Sequence, residues 1–554
     1  MQETAFGTTG ENDITSRSAQ IRKFLRTTTS NKAIVSQFLH DVELEMQNYQ
    51  AEINRLQIAI YAIENRRKKL TRAAELYRSL LPPIHAVLSE LTIIFTFYCE
   101  QNVLSRDKLP EALRLSMVCG RWRDIVFSTP HLWSNIKIDF DAWTKDFHVL
   151  NQLSKSFLKR SRTLPLHLSL ILPTEKFTDG SSRQGACPTL NSLVKQCERW
   201  EHMSLEIVPQ HFPSLIFEPI RGRLPLLSAL NLENKGSGND SGWSSPFSCL
   251  DICPALHTLQ ISPELNDAQE HKVPLPCTQI KTLQLILAHN VTAFPLLSHC
   301  TDVESLELRE VGGLDKEGDD YSGHLIRGGV KILDIGKANT QDDIDGVLKH
   351  TTLSRLSSLR IWGRNDYLVE TWLEWDSTYL QAFLHRSSCA ITSLYLRALP
   401  ITDIQALALL RMLPTIMSLN IEEFVLKDEN FTVTTRFLDG LNASLDSPSF
   451  TPLVPQLTHL KLLVHAKDLS SDAILAALSS RWLPDPRHAT EMGVECLRSV
   501  TIVVILDPDD NQEGEHLNCL HCFRDAGMQL AITYGTPSEL RPDAKDEEEG
   551  DEDE

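Results

Sequence analysis

The best candidate for a metal site lies near the C-terminal end of the sequence. It contains four side chains, His516, Cys519, His521 and Cys522. Zinc is bound by four ligands in a tetrahedron, and two cysteines three residues apart on a helix can supply two of them. No second cysteine pair follows at the spacing of a zinc finger. We therefore expect Cys519 and Cys522 to lie on the inner face of a terminal helix, and we predict no metal and no cofactor.

Other residues that could do chemistry lack the spacing that the chemistry requires. Four carboxylates follow a predicted strand without the pattern of a calcium-binding loop, namely Asp507, Asp509, Asp510 and Glu513. The sequence contains no GxxxxGK(S/T) phosphate-binding loop and no GxGxxG, HExxH or GxSxG motif. We therefore predict a protein that binds other molecules and is not an enzyme.

Composition narrows the class of protein. The chain has 554 residues, a formal net charge of −19, 42% hydrophobic residues and 23% charged residues. The apolar fraction is typical of a globular protein, and the length favours several modules. Because a net-acidic chain binds phosphate backbones poorly, we do not expect nucleic acid as a partner. Residues 541–554 hold nine acidic and two basic side chains, which predicts an acidic disordered tail.

The sequence shows no signal for a membrane or for secretion. No apolar run approaches the roughly 18 residues of a membrane helix. The first residues, Met1-Gln2-Glu3, lack the basic and then apolar pattern of a signal peptide. The twelve cysteines are scattered, and without such a signal we expect reduced thiols. These observations predict no membrane association and a location in the cytoplasm, the nucleus or both.

We interpret residues 1–37 as a flexible arm. A regular apolar pattern follows this arm. Over residues 38–81, apolar side chains recur at alternating spacings of three and four, as at the a and d positions of heptads. They are Leu39, Val42, Met46, Tyr49, Ile53, Leu56, Ile60, Ile63, Leu70, Ala74, Tyr77 and Leu81. Only Arg67, at an a position, interrupts them. The pattern predicts a long helix that either forms a coiled coil with a second chain, as in self-association through residues 39–81, or packs on its own protein.

A second pattern recurs from about residue 200 onward, within a predicted repeat domain over residues 139–540. In each copy, two residues separate the first apolar residue from the second, and one residue separates the second from the third, as in LxxLxL. The central apolar residues of the ten copies are Leu230, Leu259, Leu283, Leu306, Leu333, Leu359, Leu394, Leu419, Leu460 and Val500. Each copy predicts a short strand, and segments such as 402–413 and 471–482 between the copies predict helices. Repeated strand and helix predict an α/β fold of the leucine-rich-repeat solenoid type. An ordinary α/β domain with a parallel sheet is the alternative.

The residue between the last two apolar positions of each copy would lie on the exposed face of such a sheet. This position is polar and varied, and it becomes basic and aromatic at Arg360, Tyr395 and Lys461. Because Arg and Lys suit anionic groups, we predict that these three residues contact an acidic or phosphorylated segment of a protein substrate. The alternative is that they simply form a solvated strand face.

Residues 82–138 contain a set of short segments with a specific pattern. They are Pro83-Ile84, Leu88-Ser89-Glu90-Leu91, Ile94-Phe95, Val118-Cys119-Gly120-Arg121-Trp122-Arg123-Asp124-Ile125 and Ser128-Thr129-Pro130-His131-Leu132-Trp133. In these segments the sequence resembles an F-box of the kind abundant in mushroom-forming fungi. Segments 157–170 and 383–394 also resemble repeats of that family. The resemblance implies a small all-helical module over 82–138, preceded by the heptad helix and followed by leucine-rich repeats.

The resemblance also implies partners. F-box proteins dock onto a Skp-family adaptor and through it onto a cullin, while the C-terminal domain recruits a protein for ubiquitination. The implied adaptor contacts are Pro83, Leu88, Leu91, Ile94, Phe95, Val118 and Cys119. The implied core of the module is Leu115, Trp122, Ile125, Pro130, Leu132 and Trp133. The sequence thus predicts the substrate receptor of a ubiquitin ligase, with a leucine-rich-repeat interaction scaffold as the alternative.

Overall fold

The structure is a computed structural model. It describes residues 19, 22–23, 32–78, 88–143, 145–173, 187–208, 211–235, 247–261, 275–286, 297, 299–310, 326–327, 329–338, 340–363, 375–424, 432–443, 452–506 and 517–536. The chain divides into two units, Met1–Leu91 and Thr92–Glu554. The predicted acidic tail, most of the predicted arm, Leu81 and Pro83 lie outside the described residues.

The first unit contains the predicted heptad helix. This helix, α1, runs without a break over Lys32–Arg78, so it begins six residues before the predicted start at 38. Bonds between side chains one turn apart support it, including Tyr49 to Glu45 at 3.1 Å and Arg55 to Glu52 at 2.7 Å. The apolar a and d side chains are exposed almost throughout, from Leu39 to Tyr77. The long helix is thus confirmed.

A short helical stretch comes next in the chain. Its elements are α2 Leu88–Tyr98, α3 Glu111–Ser116, α4 Gly120–Ser128 and the 3-10 helix Pro130–Trp133. The Cys119 sulfur accepts a bond from the Trp122 backbone N–H at 3.4 Å, which caps α4. Pro130 occupies the first turn of the 3-10 helix, where its missing N–H costs nothing.

The stretch is not all-helical, which corrects one prediction. Strand β1, Asn102–Val103, lies within it and pairs in parallel with β2, Asn135–Asp139. Asn102 is fully buried and ties the two strands to α3, because its amide donates to the carbonyls of Leu132 and Asn135 at 3.0 and 3.1 Å and accepts from the Ala112 N–H at 2.9 Å. A two-residue strand has no detectable periodicity, so the sequence gives no sign of it.

A parallel sheet of 15 strands dominates the second unit. Its strands lie side by side in chain order, and every described pairing within it is parallel. After β1 and β2 come β3 Leu166–Ile171, β4 Trp200–Ile207, β5 Ala229–Asn234, β6 Thr258–Ile261, β7 Thr282–Ile286, β8 Ser305–Arg309, β9 Ile332–Ala338, β10 Ser358–Gly363, β11 Ser393–Arg397, β12 Ser418–Glu422, β13 His459–His465, β14 Ser499–Ile505 and β15 Gln529–Gly535. Each of the ten predicted repeat strands is present, whereas β15 was not predicted.

Helices connect many of these strands, and together they confirm an α/β fold. They are α5 Phe147–Arg160, α6 Cys187–Val194, α7 Ser214–Phe217, α8 Gln341–His350, α9 Thr378–Ser387, α10 Asp403–Arg411, α11 Thr435–Leu441, α12 Ser471–Arg481, α13 Pro486–Met492 and α14 His521–Asp525. Neighbours such as α8 and α9, or α11 and α12, pack against each other. A separate two-stranded pair joins Ile326–Arg327 to Thr351–Thr352. Among the helices described, none has the length and apolar character to cross a membrane.

The core lies against one face of the sheet. In β9, Leu333 and Ile335 are both fully buried, and the same alternation recurs in neighbouring strands. The register places Leu333 beside Leu306 on one side and Leu359 on the other. Leucine and isoleucine therefore stack in continuous rows under the sheet, and each row buries apolar area from every strand it crosses.

A buried arginine holds the C-terminal helices to a strained loop. Arg481, 1% exposed, donates to the carbonyls of Leu441 at 2.6 Å and Val454 at 3.1 Å and also to that of Leu453. Val454 has φ of 42°, a left-handed conformation that a β-branched residue adopts only when its surroundings enforce it. Burial lowers the pKa of Arg481 to about 10, so the side chain stays charged at neutral pH.

Replacing this arginine should destabilise the second unit. We expect Arg481→Met to reduce the free energy of unfolding by about 3 kcal/mol, because three carbonyls lose their donor. Chemical denaturation followed by circular dichroism measures the change. The matched control is Arg411→Met on the exposed side of α10, which should shift stability by less than about 0.5 kcal/mol. Equal midpoints for the two variants would contradict the role of Arg481.

Candidate functional site

The helical stretch exposes large apolar side chains on two of its elements. Ile93, Ile94 and Phe97 on α2, and Met117 and Val118 after α3, are each at least 55% exposed. The Phe95 ring packs on the Trp122 ring with centroids 4.7 Å apart. The Arg114 guanidinium lies 5.9 Å from the centre of the Tyr98 ring. These contacts tie α2 to α3 and α4. We call the five exposed side chains the apolar patch.

Helix α2 is apolar on both sides, which explains the patch. Leu91 and Phe95 are 1% exposed and Cys99 is 3% exposed, so one face of the helix forms core. The opposite face carries Ile94 and Phe97 into solvent. A helix of a monomeric globular protein ordinarily has a polar outer face. An apolar one is typical of a surface that a partner covers.

The structure divides the implied adaptor contacts into two groups. Leu91 and Phe95 are buried core residues, whereas Ile94 and Val118 belong to the apolar patch. Cys119 is half-buried and caps α4. The side chain of Leu88 and the whole of Pro83 lie outside the described residues.

The implied core of the stretch is partly enclosed. Leu115, Leu132 and Trp133 are buried, while Trp122, Ile125 and Pro130 are half-buried. The Trp133 indole donates to the Val126 carbonyl at 2.8 Å and meets the Phe157 ring edge-on, with centroids 4.9 Å apart. Since Phe157 belongs to α5, this core continues beyond the predicted boundary at 138.

The exposed face of the sheet carries the second candidate site. The residues between the last two apolar positions of successive strands form one row, which we call the polar column. In this row Arg360 pairs directly with Tyr395, and Asn420 lies between Tyr395 and Lys461. The pairings therefore bring the three predicted substrate contacts onto four consecutive strands of one face.

Each of these three residues already has an acidic neighbour in the chain. Arg360 lies 3.7 Å from the Asp334 carboxylate, and Lys461 lies 2.7 Å from that of Glu422. The Tyr395 hydroxyl donates to Glu422 at 3.0 Å. Arg360 and Lys461 still expose 52% and 46% of their side chains, so the outer sides of both cations face solvent.

Glu422 is the centre of this network. Burial acts to raise the pKa of Glu422, but the bonds from Lys461, Tyr395 and Asn420 prevail and hold it below its usual value. The Arg397 guanidinium, 3.7 Å from the same carboxylate, is a fourth neighbour and adds a second positive charge. Burial, reinforced by the charge of Glu422, raises the pKa of Tyr395. The tyrosine therefore stays protonated and can only donate its hydroxyl to this carboxylate.

A tryptophan lies beside the polar column. The Trp362 indole donates to Asp334 at 2.7 Å, and the Arg397 guanidinium lies 5.9 Å from the centre of its ring. A Cβ at Gly336 would lie 2.4 Å from that ring, so only glycine fits there. Burial raises the pKa of Asp334. The sequence did not indicate Trp362, Arg397 and Glu422. They lie two residues beyond the polar column, at the next position on the same face of each strand.

A histidine pair is a further group that the sequence did not indicate. His167 and His202 are register partners on β3 and β4, with ring centroids 4.3 Å apart. His167 Nε2 lies 3.2 Å from Glu201 Oε2. One potential ligand atom of each of these three residues lies within 4.8 Å of the others, which suits a divalent metal. Burial, with the charge of His167, lowers the pKa of His202, so its imidazole is neutral at pH 7.

The C-terminal cysteines are not on an inner face, contrary to prediction. Cys519 and Cys522 are exposed. The inner positions are taken by Leu517, Leu520 and Phe523, which recur every three residues through a 3-10 turn and α14. His516 and the carboxylates of 507–513 lie outside the described residues.

No protein-family model matches the chain, and no curated protein matches it.

The network around Glu422 should contribute to stability in a pH-dependent way. We expect Glu422→Gln to reduce the free energy of unfolding by about 2 kcal/mol at neutral pH, because Lys461 and Arg397 lose their buried anion. Since the pKa of Glu422 is lowered in the fold, its contribution is complete above the ordinary value of 4.5 and is lost as the pH falls below it. Urea denaturation of both proteins at pH 7 and pH 3 should show the difference shrinking in acid.

An exposed ion pair provides the control for this measurement. Glu304 bonds Lys331 at 2.8 Å with both side chains about half exposed, so Glu304→Gln should leave the urea midpoint nearly unchanged. A loss at Glu422→Gln that is the same at both pH values would contradict a contribution from the ionised carboxylate.

Proposed function

We propose that the chain is the substrate receptor of a Skp–cullin–F-box ubiquitin ligase. The helical stretch docks a Skp-family adaptor, and the exposed face of the sheet binds the protein to be ubiquitinated. The observation that carries this proposal is the apolar patch, which lies within the segment that resembles an F-box. The protein does no chemistry in this role. It raises the concentration of its bound substrate near the ubiquitin-carrying enzyme.

The patch has the character of a helix-docking surface. Ile94 and Phe97 lie one turn apart on α2, so both project to the same side. Phe97 is 73% exposed. Apolar side chains at this spacing suit a groove between helices of a partner, where burying each of them would stabilise the complex by roughly 1.5–3 kcal/mol. Val118, 60% exposed on the turn before α4, supplies a second point of contact.

We further propose that the sheet belongs to a leucine-rich-repeat solenoid. Its strands follow one another in chain order and are all parallel, and helices connect many of them, some packing against the next helix along the chain. Regular strands with an open polar face suit the recognition of an extended protein segment. This support concerns the repeat region, and the F-box proposal rests separately on the apolar patch and the resemblance.

Within that face, Arg360 and Lys461 are the proposed contacts to an acidic or phosphorylated segment. Their internal partners, Asp334 and Glu422, hold the two side chains in place, and their exposed sides can each accept a second anion. Among the described residues, the buried Oδ1 atom of Asn420 has no hydrogen-bond partner. Asn420 lies on the strand between Tyr395 and Lys461, and its side-chain N–H donates to Glu422 at 3.2 Å.

Adaptor binding tests the ligase role. Ile94→Asp with Phe97→Asp should weaken co-purification with a recombinant Skp-family adaptor at least about tenfold, because two charges would enter an apolar interface. Both side chains are exposed, so the variant should keep the circular dichroism spectrum of the wild type. The control is Leu215→Asp on α7, 93% exposed, which should bind normally.

The same experiment can exclude the ligase. If the wild type fails to bind the adaptor, or if the double variant binds as well as the wild type, the F-box proposal fails. An interaction scaffold without a ligase role would then account better for the sheet. Under the ligase proposal the protein acts in the cytoplasm or the nucleus, where cullin ligases work.

Substrate binding is tested on the polar column. Arg360→Ala with Lys461→Ala should reduce capture of acidic or phosphorylated partners several-fold, and phosphatase treatment of phosphorylated partners should have the same effect. Quantitative mass spectrometry of captured proteins measures both. Lys331→Ala removes an exposed lysine of similar type elsewhere and should not matter. Unchanged capture by the double variant would remove Arg360 and Lys461 from the binding surface.

A further inference from the structure

Helix α1 exposes a continuous apolar seam. Ten of its seam residues have exposed side chains, Leu39, Met46, Tyr49, Ile53, Leu56, Ile60, Ile63, Leu70, Ala74 and Tyr77, and Val42 is half-buried. The repeat of three and four keeps them on one side of the helix over its whole length. Such a seam in water calls for a partner with the same periodicity.

Charge is distributed unequally along the same helix. Residues 39–57 contain four acidic side chains and one basic side chain, a net charge of −3. Residues 58–78 contain two acidic and six basic side chains, a net charge of +4. Two copies in parallel would place like charges together along both halves. Two copies in opposite directions would place each acidic half beside a basic half.

We propose that two copies of this chain form an antiparallel coiled coil through α1. The two-fold axis crosses the seam between Leu56 and Ile60. In antiparallel coils an a residue faces a d residue, and this axis is the one that pairs every seam position from 39 to 77. The layers are Leu39 with Tyr77, Val42 with Ala74, Met46 with Leu70, Tyr49 with Arg67, Ile53 with Ile63 and Leu56 with Ile60.

The position of Arg67 in the seam favours the antiparallel direction most strongly. A parallel pair in register would face Arg67 with the same arginine of the second copy, and two cations would share one apolar layer. The antiparallel pair faces it with Tyr49 of the second copy. The Tyr49 hydroxyl donates to Glu45 at 3.1 Å, so the guanidinium would meet an aromatic ring and a carboxylate.

The residues that flank the seam agree with the same register. Glu52 of one copy lies opposite Arg66 of the other, and the two-fold axis makes this ion pair twice. Glu52 bonds Arg55 at 2.7 Å within its own helix, and a carboxylate can accept from a second guanidinium as well. In a parallel coil Glu52 would face Gln57 and Arg66 would face Thr71, so neither would find an opposite charge.

Oligomeric state is the first test. The full chain should elute as a dimer in size-exclusion chromatography with light scattering. Leu56→Glu, next to the axis, should shift it to monomer at micromolar concentration by weakening association by at least about a hundredfold. Ile58→Glu is the matched control, because Ile58 is 72% exposed and lies on the outer side of the helix. It should stay dimeric. A wild type that is monomeric at all concentrations overturns the proposal.

Cysteine crosslinking then decides the direction. In a background with Cys519→Ser and Cys522→Ser, which removes the two exposed cysteines, Val42→Cys protein is mixed with Ala74→Cys protein and oxidised. The antiparallel register predicts a crosslinked dimer from the mixture and none from either protein alone. Crosslinking of Val42→Cys with itself would show a parallel coil and overturn the proposal.

A charge exchange checks the register independently. Glu52→Arg and Arg66→Glu should each weaken the dimer on the order of tenfold, because each turns two attractions into two repulsions. The double variant restores both ion pairs and should recover the affinity of the wild type. Additive losses in the double variant would contradict the pairing of these two residues.

Discussion

In-register pairing between strands that follow one another in the chain is the constraint on which the second unit depends. Because Leu333 lies beside Leu306 and Leu359, every strand adds its apolar residues to rows that its neighbours have begun. A shift by one residue would turn the leucines to solvent and the polar column into the core. The repeated spacing of apolar residues in the sequence and the parallel order of the strands are therefore two aspects of one requirement.

The same register determines the chemistry of the exposed face. Residues distant in sequence become neighbours when they lie on the same face of paired strands, as with Lys461 and Glu422 or His167 and His202. Glu422 can therefore hold Tyr395, Arg397 and Lys461 in place, and the cations reach solvent already oriented. A surface prepared in this way loses less side-chain entropy when it binds a ligand.

Elements that come from a repeated pattern of apolar residues are predicted correctly from the sequence. The heptads predict α1, and the LxxLxL pattern predicts ten strands together with the alignment of Arg360 and Tyr395, because periodicity survives any detail of packing. Prediction from the sequence fails where a single side-chain contact determines the local structure. The two-residue strand β1 depends on the buried amide of Asn102, and α2 is so uniformly apolar that its pattern does not show that Phe95 turns inward and Phe97 outward. The partners of Glu422 come from three strands, so no local motif could indicate them.

Strand order has a consequence for how the protein is made. Each strand of the large sheet pairs with the strand before it in the chain. When a new strand emerges from the ribosome, the strand with which it pairs has therefore already been synthesised. The sheet can therefore grow from its N-terminal edge during synthesis, one strand at a time. At every stage a single growing edge is open, and it is covered as soon as the next strand is translated. A pause in translation between two strands would leave that edge exposed to other chains.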